Sequence, residues 1–303
     1  MNLINFCVSL FALSSCMQLV AQVNSNISHC SDSAATVAIQ SFQDFSIRTY
    51  REQGAGAYGS GKCIQVSRRG NVLYRGYSDG GFTLLNSSDD TRMIGFSGFK
   101  PALHPLPVGT DVTGLGKPEL LIMDWSGGNH CCFMFDVLEL SDNVRLVLSV
   151  DAQIPSAYFA DLRKDGQFEL VSKDLSFDFW HGGRFQGTPI ILRFRDGRYI
   201  LALDLMRKPL PSDEAFRKIR AGVRSGEWSG DYPPSVLTDA MLDLIFTGHP
   251  KDAWTLASNS WVSGHVSKES YLQDFCKQLA LNPYYSQLRP SLGDAPCILS
   301  TPR

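Results

Sequence analysis

The sequence predicts an α+β protein in which a β-rich repeat domain precedes a small α-helical domain. Short segments rich in Val, Ile, Leu and Phe, separated by turns with Gly, Asp and Asn, fill residues 60–208 and are typical of strands. Two of these segments, together with the turns before them, repeat each other. Beyond residue 208 the apolar residues recur with helical spacing, which places the helical domain at residues 209–303.

The composition is that of a globular protein. Of the 303 residues, 44% are hydrophobic and 19% are charged, which supplies enough apolar material for a core. The 28 Lys and Arg residues against 30 Asp and Glu give a net charge of −2 without a basic patch, so no nucleic-acid partner is expected. No run of about 20 apolar residues follows the N-terminus, so no internal membrane span is expected.

Residues 1–22 are predicted to be a secretory signal peptide. The segment carries no charged side chain, and its apolar core, Phe6–Leu13, is too short to span a bilayer. Cleavage after Ala21 or Gln22 would release the protein into the periplasm or the extracellular space. Two alternatives are a lipoprotein anchor through Cys16 in "LSSC" and a buried N-terminal helix.

The cysteines that follow the signal peptide indicate disulfides, because their number is even and the chain is predicted to be exported. They are Cys30, Cys63, Cys131, Cys132, Cys276 and Cys297. Proximity in the sequence favours structural disulfides between Cys30 and Cys63 and between Cys276 and Cys297. Cys131 and Cys132 would then pair with each other. The alternative is that they exchange partners with the other cysteines.

The β-rich domain follows an N-terminal segment, residues 23–59, and begins with a hairpin. "KCIQVSRRGNVLYRGYS" contains two strand-like runs around the turn "RRGN". The later segments with strand composition are "ELLIMDW", "CFMFDVLEL", "VRLVLSVDA", "FELVSKD", "TPIILRFRDG" and "RYILALDL". Gly-, Asp- and Asn-rich punctuation such as "SGG", "SDN" and "KDG" predicts turns between them.

An internal repeat lies within this domain. "DVTGLGKPELLI" from Asp111 aligns with "DLRKDGQFELVS" from Asp161, fifty residues later. The equivalent pairs are Asp111/Asp161, Gly116/Gly166, Glu119/Glu169 and Leu120/Leu170. A period of this length suits a four-stranded propeller blade, which cannot bury its faces without neighbours. Residues 60–208 are therefore predicted to be propeller-like, as an open stack of sheets that the helices cover.

The two Asp-rich turns, each leading into an apolar strand, resemble the FG-GAP or VCBS-type repeats of integrin-like β-propellers over residues 108–205. "DVTGLGKPELLIMDWSGGNHCCFMFDVLEL", with the later "TGHPKDAW" and "NPYY", is also similar to a group of exported bacterial proteins that carry an SGGxHCC motif. The resemblance implies propeller-type blades and Ca²⁺ bound in the turns. The residues that would supply its oxygen ligands are Asp111, Thr113, Glu119, Asp161, Asp165 and Glu169.

The residues of the turns leave two alternatives to a bound calcium ion. Leu115 and Arg163 occupy positions where the repeat normally has a ligand. Arg163 could neutralise the acids of its own turn through a salt bridge that takes the place of the ion. Both turns could equally be Asp–Gly turns in which the aspartate side chain caps the backbone.

The motif "SGGNHCC" allows three interpretations of His130, Cys131 and Cys132. Consecutive residues of a strand point to opposite faces, so the two cysteines would form structural disulfides with different partners. A disulfide between the neighbours themselves needs a tight turn and would suit redox chemistry. With His130, the two thiolates could instead bind Zn²⁺ or Cu⁺. Structural disulfides are the favoured interpretation.

No catalytic residue is assigned. "GYSDG" matches the G-x-S-x-G pattern around Ser78, but "GFTLLN" follows with strand composition, so a hairpin turn is predicted in place of a nucleophile elbow. The histidines are scattered, and His181 is predicted to be a loop residue. Asp174, Asp178 and Trp180 could bind a sugar, with a buried tryptophan as the alternative.

Four segments of the C-terminal domain have helical patterns. "PSDEAFRKIRAGVRSG" opens with proline, serine and acids, as helices do. "PPSVLTDAMLDLIFTGHPKDAWTLASNSWV" contains two amphipathic patterns separated by "TGHP", and "SKESYLQDFCKQLALNPYYSQL" contains another that ends at Asn282 and Pro283. The last residues are predicted to be a tail held by Cys297.

The function predicted from these observations is an exported, non-catalytic binding or scaffold module, whose partner is an envelope protein or a glycan. One alternative is a hydrolase that acts on envelope or polysaccharide material. The other is a redox or metal-handling protein that uses the pair Cys131 and Cys132.

Overall fold

The computed structural model describes residues 35–51, 61–85, 106–125, 133–154, 156–182, 185–228, 232–265, 267–293 and 297. These residues form two antiparallel sheets followed by six helices, so the predicted α+β class is confirmed. The strands among them form no closed propeller. None of the helices described is long and apolar enough to cross a membrane.

The strands of both sheets follow one another in chain order, so each sheet is an antiparallel meander. The seven-stranded sheet contains β1 (Ala35–Phe42), β2 (Phe45–Arg51), β3 (Gly61–Arg68), β4 (Asn71–Leu84), β5 (Glu119–Trp125), β6 (Phe133–Glu139) and β7 (Arg145–Asp151). The four-stranded sheet contains β8 (Tyr158–Ala160), β9 (Glu169–Asp174), β10 (Thr188–Arg195) and β11 (Arg198–Leu201).

The helices follow the second sheet, and a short 3-10 turn, Trp180–Gly182, lies in the loop between β9 and β10. The helices are α1 (Leu203–Met206), α2 (Asp213–Ser225), α3 (Ser235–Phe246), α4 (Pro250–Ser260), α5 (Lys268–Ala280) and α6 (Tyr285–Leu292). The predicted order of strands and helices along the chain is therefore observed.

The first sheet begins earlier than residue 60, where the sequence predicted it to start. β1 and β2 lie within the N-terminal segment, and β2 pairs with β3 along its length. The hairpin predicted at "RRGN" joins β3 to β4, with Arg69 at φ 50° and Gly70 at φ 87°. Two consecutive residues with positive φ form the turn whose twist matches that of the flanking strands.

The hairpin predicted at "GYSDG" is wrong, because β4 continues through it. The strand pairs first with β3 and then, from Gly81 onwards, with β5. Ser78 is buried inside this strand, where its hydroxyl donates to the carbonyl of Trp125 at 3.1 Å and accepts from the backbone N–H of Gly81 at 2.9 Å. These bonds hold the strand against β5, so Ser78 does not lie at the strand-to-helix turn that a nucleophile elbow needs.

One face of the seven-stranded sheet carries a hydrophobic core cluster of its own. This cluster is built from β2 to β6 and adjoining residues: Phe45, Ile47, Ile64, Val66, Phe82, Leu84, Leu120, Ile122, Leu138, Leu140 and Val144. Arg68 at the end of β3 also pairs with Asp142 in the turn after β6.

The opposite face of β5 and β6 belongs to the principal core, which continues through the second sheet into the helices. The ring of Phe135 in β6 lies 5.7 Å from that of Phe159 in β8, and Phe159 lies 6.0 Å from Tyr199 in β11. Phe246 of α3 and Phe275 of α5 belong to the same cluster. The helices predicted to form a domain of their own from residue 209 therefore share a hydrophobic core with the sheets.

The helix boundaries reflect capping residues that the sequence contains. Ser212 caps α2 by accepting from the backbone N–H of Ala215 at 3.3 Å, and Ser267 caps α5 in the same way. The segment "TGHP" separates α3 from α4, as predicted. Two helices were not predicted: α1, formed by the end of "RYILALDL", and α6, which contains Pro290.

Candidate functional site

The two turns of the sequence repeat have the same backbone hydrogen bonds. The carboxylate of Asp111 accepts from the N–H groups of Leu115 and Gly116, at 3.0 and 2.6 Å. The carboxylate of Asp161 accepts from the residues four and five positions further on, at 3.0 and 2.9 Å. Gly116 and Gly166 both have positive φ, 74° and 81°. Each aspartate therefore caps its turn, and glycine provides the left-handed backbone that the turn needs.

A buried glutamate closes each turn at the start of the next strand. In the first turn, Glu119 accepts from the backbone N–H groups of Val112 at 2.7 Å and Thr113 at 3.2 Å, and the Thr113 hydroxyl also donates to it. Burial raises the pKa of Glu119, and these hydrogen bonds act in the opposite direction. The side chains proposed as calcium ligands in this turn are thus bonded to each other and to the backbone.

In the second turn, arginine side chains lie beside the acidic residues proposed as calcium ligands. The Nε atoms of Arg163 and Arg193 each lie 3.2 Å from Oε1 of Glu169, which is completely buried. Arg163 also reaches Asp165 at 3.0 Å. The internal salt bridge is therefore confirmed for the turn that contains Asp161. No group of three or more His, Cys, Asp or Glu residues suited to a metal ion occurs in the part of the chain that the structure describes.

The loop between β9 and β10 contains an unusual backbone. Phe179, His181 and Gly182 have φ values of 60°, 50° and 73°. Bulky side chains rarely adopt this left-handed region, and the conformation persists only where neighbouring contacts maintain it. Such strain is more frequent at functional sites than elsewhere, so the contacts of His181 are relevant to function.

His181 is held between a tyrosine of the α2–α3 connection and an aspartate of α5. Its ring stacks on that of Tyr232, with centroids 3.6 Å apart and planes inclined by 16°. Its Nε2 lies 2.6 Å from Oδ2 of Asp274, and the hydroxyl of Tyr232 donates to the same oxygen at 3.1 Å. His181 is thus a loop residue, as the sequence predicted, with its ring fixed by two partners distant in sequence.

A cavity of about 160 Å³ lies beside this pair, between the β9–β10 loop, the α2–α3 connection and α5. Its walls include Trp180, His181, Phe185, Glu227, Tyr232 and Tyr271. Trp180 is the central ring, with its centroid 5.9 Å from Tyr232 and 6.4 Å from Phe185. Aromatic rings share the wall with polar side chains, namely those of His181, Glu227, Ser235 and Thr238. Small-ligand sites also combine apolar walls with polar groups that orient the ligand.

Of the residues that the sequence suggested for ligand binding, Trp180 lines this cavity, but Asp174 and Asp178 do not. Asp174 is buried and accepts from the backbone N–H of Ser176 at 2.7 Å and from the side chain of Asn282. Asp178 accepts from the N–H of Phe179 in its own loop. The carboxylates of Glu227 and Asp274 were missed, because they come from segments whose proximity only the tertiary structure determines.

The disulfide predicted between Cys276 and Cys297 is confirmed, and it joins α5 to the C-terminal tail. Cys63 is also disulfide-bonded, to a cysteine outside the described residues. Its predicted partner, Cys30, lies in that part of the chain, and so do His130, Cys131 and Cys132. The redox and metal interpretations of the adjacent cysteines therefore stay predictions.

Comparison with known proteins finds no matching family model, no similar curated protein and no similar solved structure. The function is therefore inferred from the residues and the geometry of the cavity.

Proposed function

We propose that this protein is an exported, non-catalytic binding module with propeller-like repeats of the FG-GAP type, and that its ligand occupies the cavity beside Trp180. The observation that carries the proposal is the combination of aromatic walls, a strained loop and a fixed histidine around a single cavity. A site of this kind can enclose a small molecule or a terminal group of a larger one.

The proposal of export is supported by the disulfide between Cys276 and Cys297, because disulfides persist mainly in oxidising compartments. The proposal of propeller-like repeats is supported by the two turns with matching hydrogen bonds. Each turn also joins two antiparallel partners: Gly109 donates to the carbonyl of Glu119 at 2.8 Å, and Ala160 pairs with Glu169. Both copies therefore lead into a strand, β5 or β9, in the same way.

The test is a thermal-shift screen of the full chain against a defined panel of monosaccharides, amino acids, choline and short carboxylic acids. Ligand present at about 100 times its Kd stabilises the folded state by about 2.7 kcal/mol, so binding raises the melting temperature measurably. We expect at least one member to do so, and Trp180→Ala to abolish the effect. Leu281→Ala is the control, because this side chain is 77% exposed and does not line the cavity.

Two results would contradict the proposal. Either no compound of the panel changes the melting temperature, or the change survives in Trp180→Ala.

A second candidate function, hydrolysis of envelope or polysaccharide material, is favoured by one observation. The 2.6 Å contact between His181 and Asp274 is the arrangement that orients a histidine for acid–base work. The assay is turnover of chromogenic esters and glycosides by the wild type and by His181→Ala. Turnover that is lost in this variant would replace the non-catalytic proposal.

A further inference from the structure

We propose that the cavity beside Trp180 binds an organic cation of the quaternary-ammonium class, such as a choline group. The inference rests on the proposed binding function and specifies the chemistry of its ligand. Three features of the described residues carry it: the inclination of the aromatic rings, the charge of the walls, and the hydroxyl groups that the protein already uses.

The aromatic rings beside the cavity are inclined to one another and do not form a flat platform. The plane of Trp180 is inclined by 75° to that of Tyr232, by 52° to that of Tyr271 and by 45° to that of Phe185. Tyr271 is completely buried and one face of Tyr232 is covered by His181, so the half-buried rings of Trp180 and Phe185 are the ones most available to a ligand. A trialkylammonium group is compact and roughly spherical, and cation–π attraction to Trp and Tyr faces is its usual mode of recognition.

The charge of the walls favours a cation. Glu227 is the carboxylate of the wall, and no Lys or Arg is present among the described residues that line the cavity. The only basic side chain there, His181, is paired with the carboxylate of Asp274. A cation in the cavity would therefore face aromatic π systems and the carboxylate of Glu227, while an anion would find no Lys or Arg among these residues.

Three hydroxyl groups of the wall, those of Tyr232, Thr238 and Tyr271, already bond to protein groups, and the fourth belongs to Ser235. The Thr238 hydroxyl bonds to the hydroxyl of Tyr271 at 2.9 Å, and Tyr232 donates to Asp274. A sugar needs directed hydrogen bonds from its site, whereas a quaternary ammonium has no N–H or O–H to satisfy. The volume of about 160 Å³ suits a small headgroup better than an oligosaccharide.

The test is isothermal titration of the full chain with choline chloride, with its neutral isostere 3,3-dimethylbutan-1-ol, and with N-acetylglucosamine. We expect choline to bind at least about tenfold more tightly than the isostere, because only choline carries the charge. Trp180→Ala should weaken choline binding by about tenfold or more. Glu227→Gln should weaken it by a smaller factor without altering the fold, since this side chain is exposed.

Glu269→Gln is the matched control, because Glu269 is an exposed carboxylate on α5 that does not line the cavity. Its affinity for choline should equal that of the wild type. Equal binding of choline and the isostere, or binding of the sugar alone, would overturn the cation assignment and leave the binding function intact. Choline binding that is unchanged in both Trp180→Ala and Glu227→Gln would show that the cavity is not the site, which contradicts both proposals.

Discussion

Glu119 and Glu169 occupy the same position in two copies of one turn, and different groups stabilise them. Hydrogen bonds from the backbone and from Thr113 satisfy Glu119, whereas Glu169 accepts from the backbone N–H of Leu162 at 3.2 Å and is neutralised by two guanidinium groups. A carboxylate that is buried without a counterion costs several kcal/mol unless hydrogen bonds replace its water. This position therefore needs a hydrogen-bond acceptor in both turns. The negative charge of the glutamate contributes more to stability in the second turn.

Replacing Glu169 with Gln should destabilise the protein by about 2 kcal/mol. The glutamine amide keeps the shape of the side chain but removes the negative charge that Arg163 and Arg193 face. Both guanidinium groups are partly exposed, so the loss of stability is smaller than for breaking a fully buried ion pair. Glu119→Gln is the control, with a smaller expected loss, since its partners are neutral donors. Urea unfolding measures both. A larger loss for Glu119→Gln than for Glu169→Gln would contradict this account.

The capping aspartate of the second turn should make stability depend on pH. Backbone N–H groups, that of Gly166 above all, lower the pKa of Asp161 below its ordinary value of 3.8. The stabilisation by the charged Asp161 side chain is therefore complete above its ordinary pKa of 3.8, and it is lost as the pH falls through the lower pKa of the folded state. Melting temperatures from pH 7 to below pH 3 should show that Asp161→Asn is less stable than the wild type at neutral pH, with a difference that shrinks in acid. A constant difference would rule out this contribution of the charge.

At the scale of elements, the loop between β9 and β10 and the disulfide of α5 both hold a segment in place after the regular structure has formed. The loop keeps a left-handed histidine because Tyr232 and Asp274 fix its ring. The disulfide ties the C-terminal tail to α5 across 21 residues. Neither feature depends on local propensity, so each depends on contacts between segments distant in sequence.

Removal of the disulfide through Cys276→Ala with Cys297→Ala should lower stability by about 3 kcal/mol. Closing a loop of this length restricts the unfolded chain, and that restriction is lost in the variant. Denaturant unfolding without reductant measures the change. A reductant should then have less effect on the variant than on the wild type, and equal sensitivity would indicate that the stabilisation comes from other disulfides.

Peptide mapping without reductant should also identify the partner of Cys63. The sequence predicts Cys30, because it lies nearer to Cys63 in the sequence than Cys131 or Cys132 does. A crosslink from Cys63 to Cys131 or Cys132 would contradict that pairing, and a crosslink between the two adjacent cysteines would support the redox interpretation.

At the scale of the whole molecule, one principal core connects β5 and β6, the second sheet and the helices. Elements that bury the same side chains lose stability together when any of them opens. We therefore expect one cooperative unfolding transition in calorimetry, with equal calorimetric and van't Hoff enthalpies. Two resolved transitions, one assigned to residues 60–208 and one to residues 209–303, would instead support two independent domains.

The sequence by itself determined most of the elements, because their signals are local. Alternating and continuous apolar runs predicted β5, β9 and β10, Ser212 marked the start of α2, and the Asp and Gly spacing predicted the two matching turns. These signals depend on residues within one element or one turn, where backbone geometry and side-chain period are sufficient.

Only the tertiary structure decided which elements share a core and where the cavity lies. Trp180 and His181 come from a loop of the β-rich part, whereas Glu227, Tyr232 and Asp274 come from the helical part. Their proximity results from packing of the helices on the second sheet, and nothing in the local sequence around them records that contact. The physical reason is that burial is non-directional: the sequence shows which faces are apolar, and the assembled fold determines which faces meet.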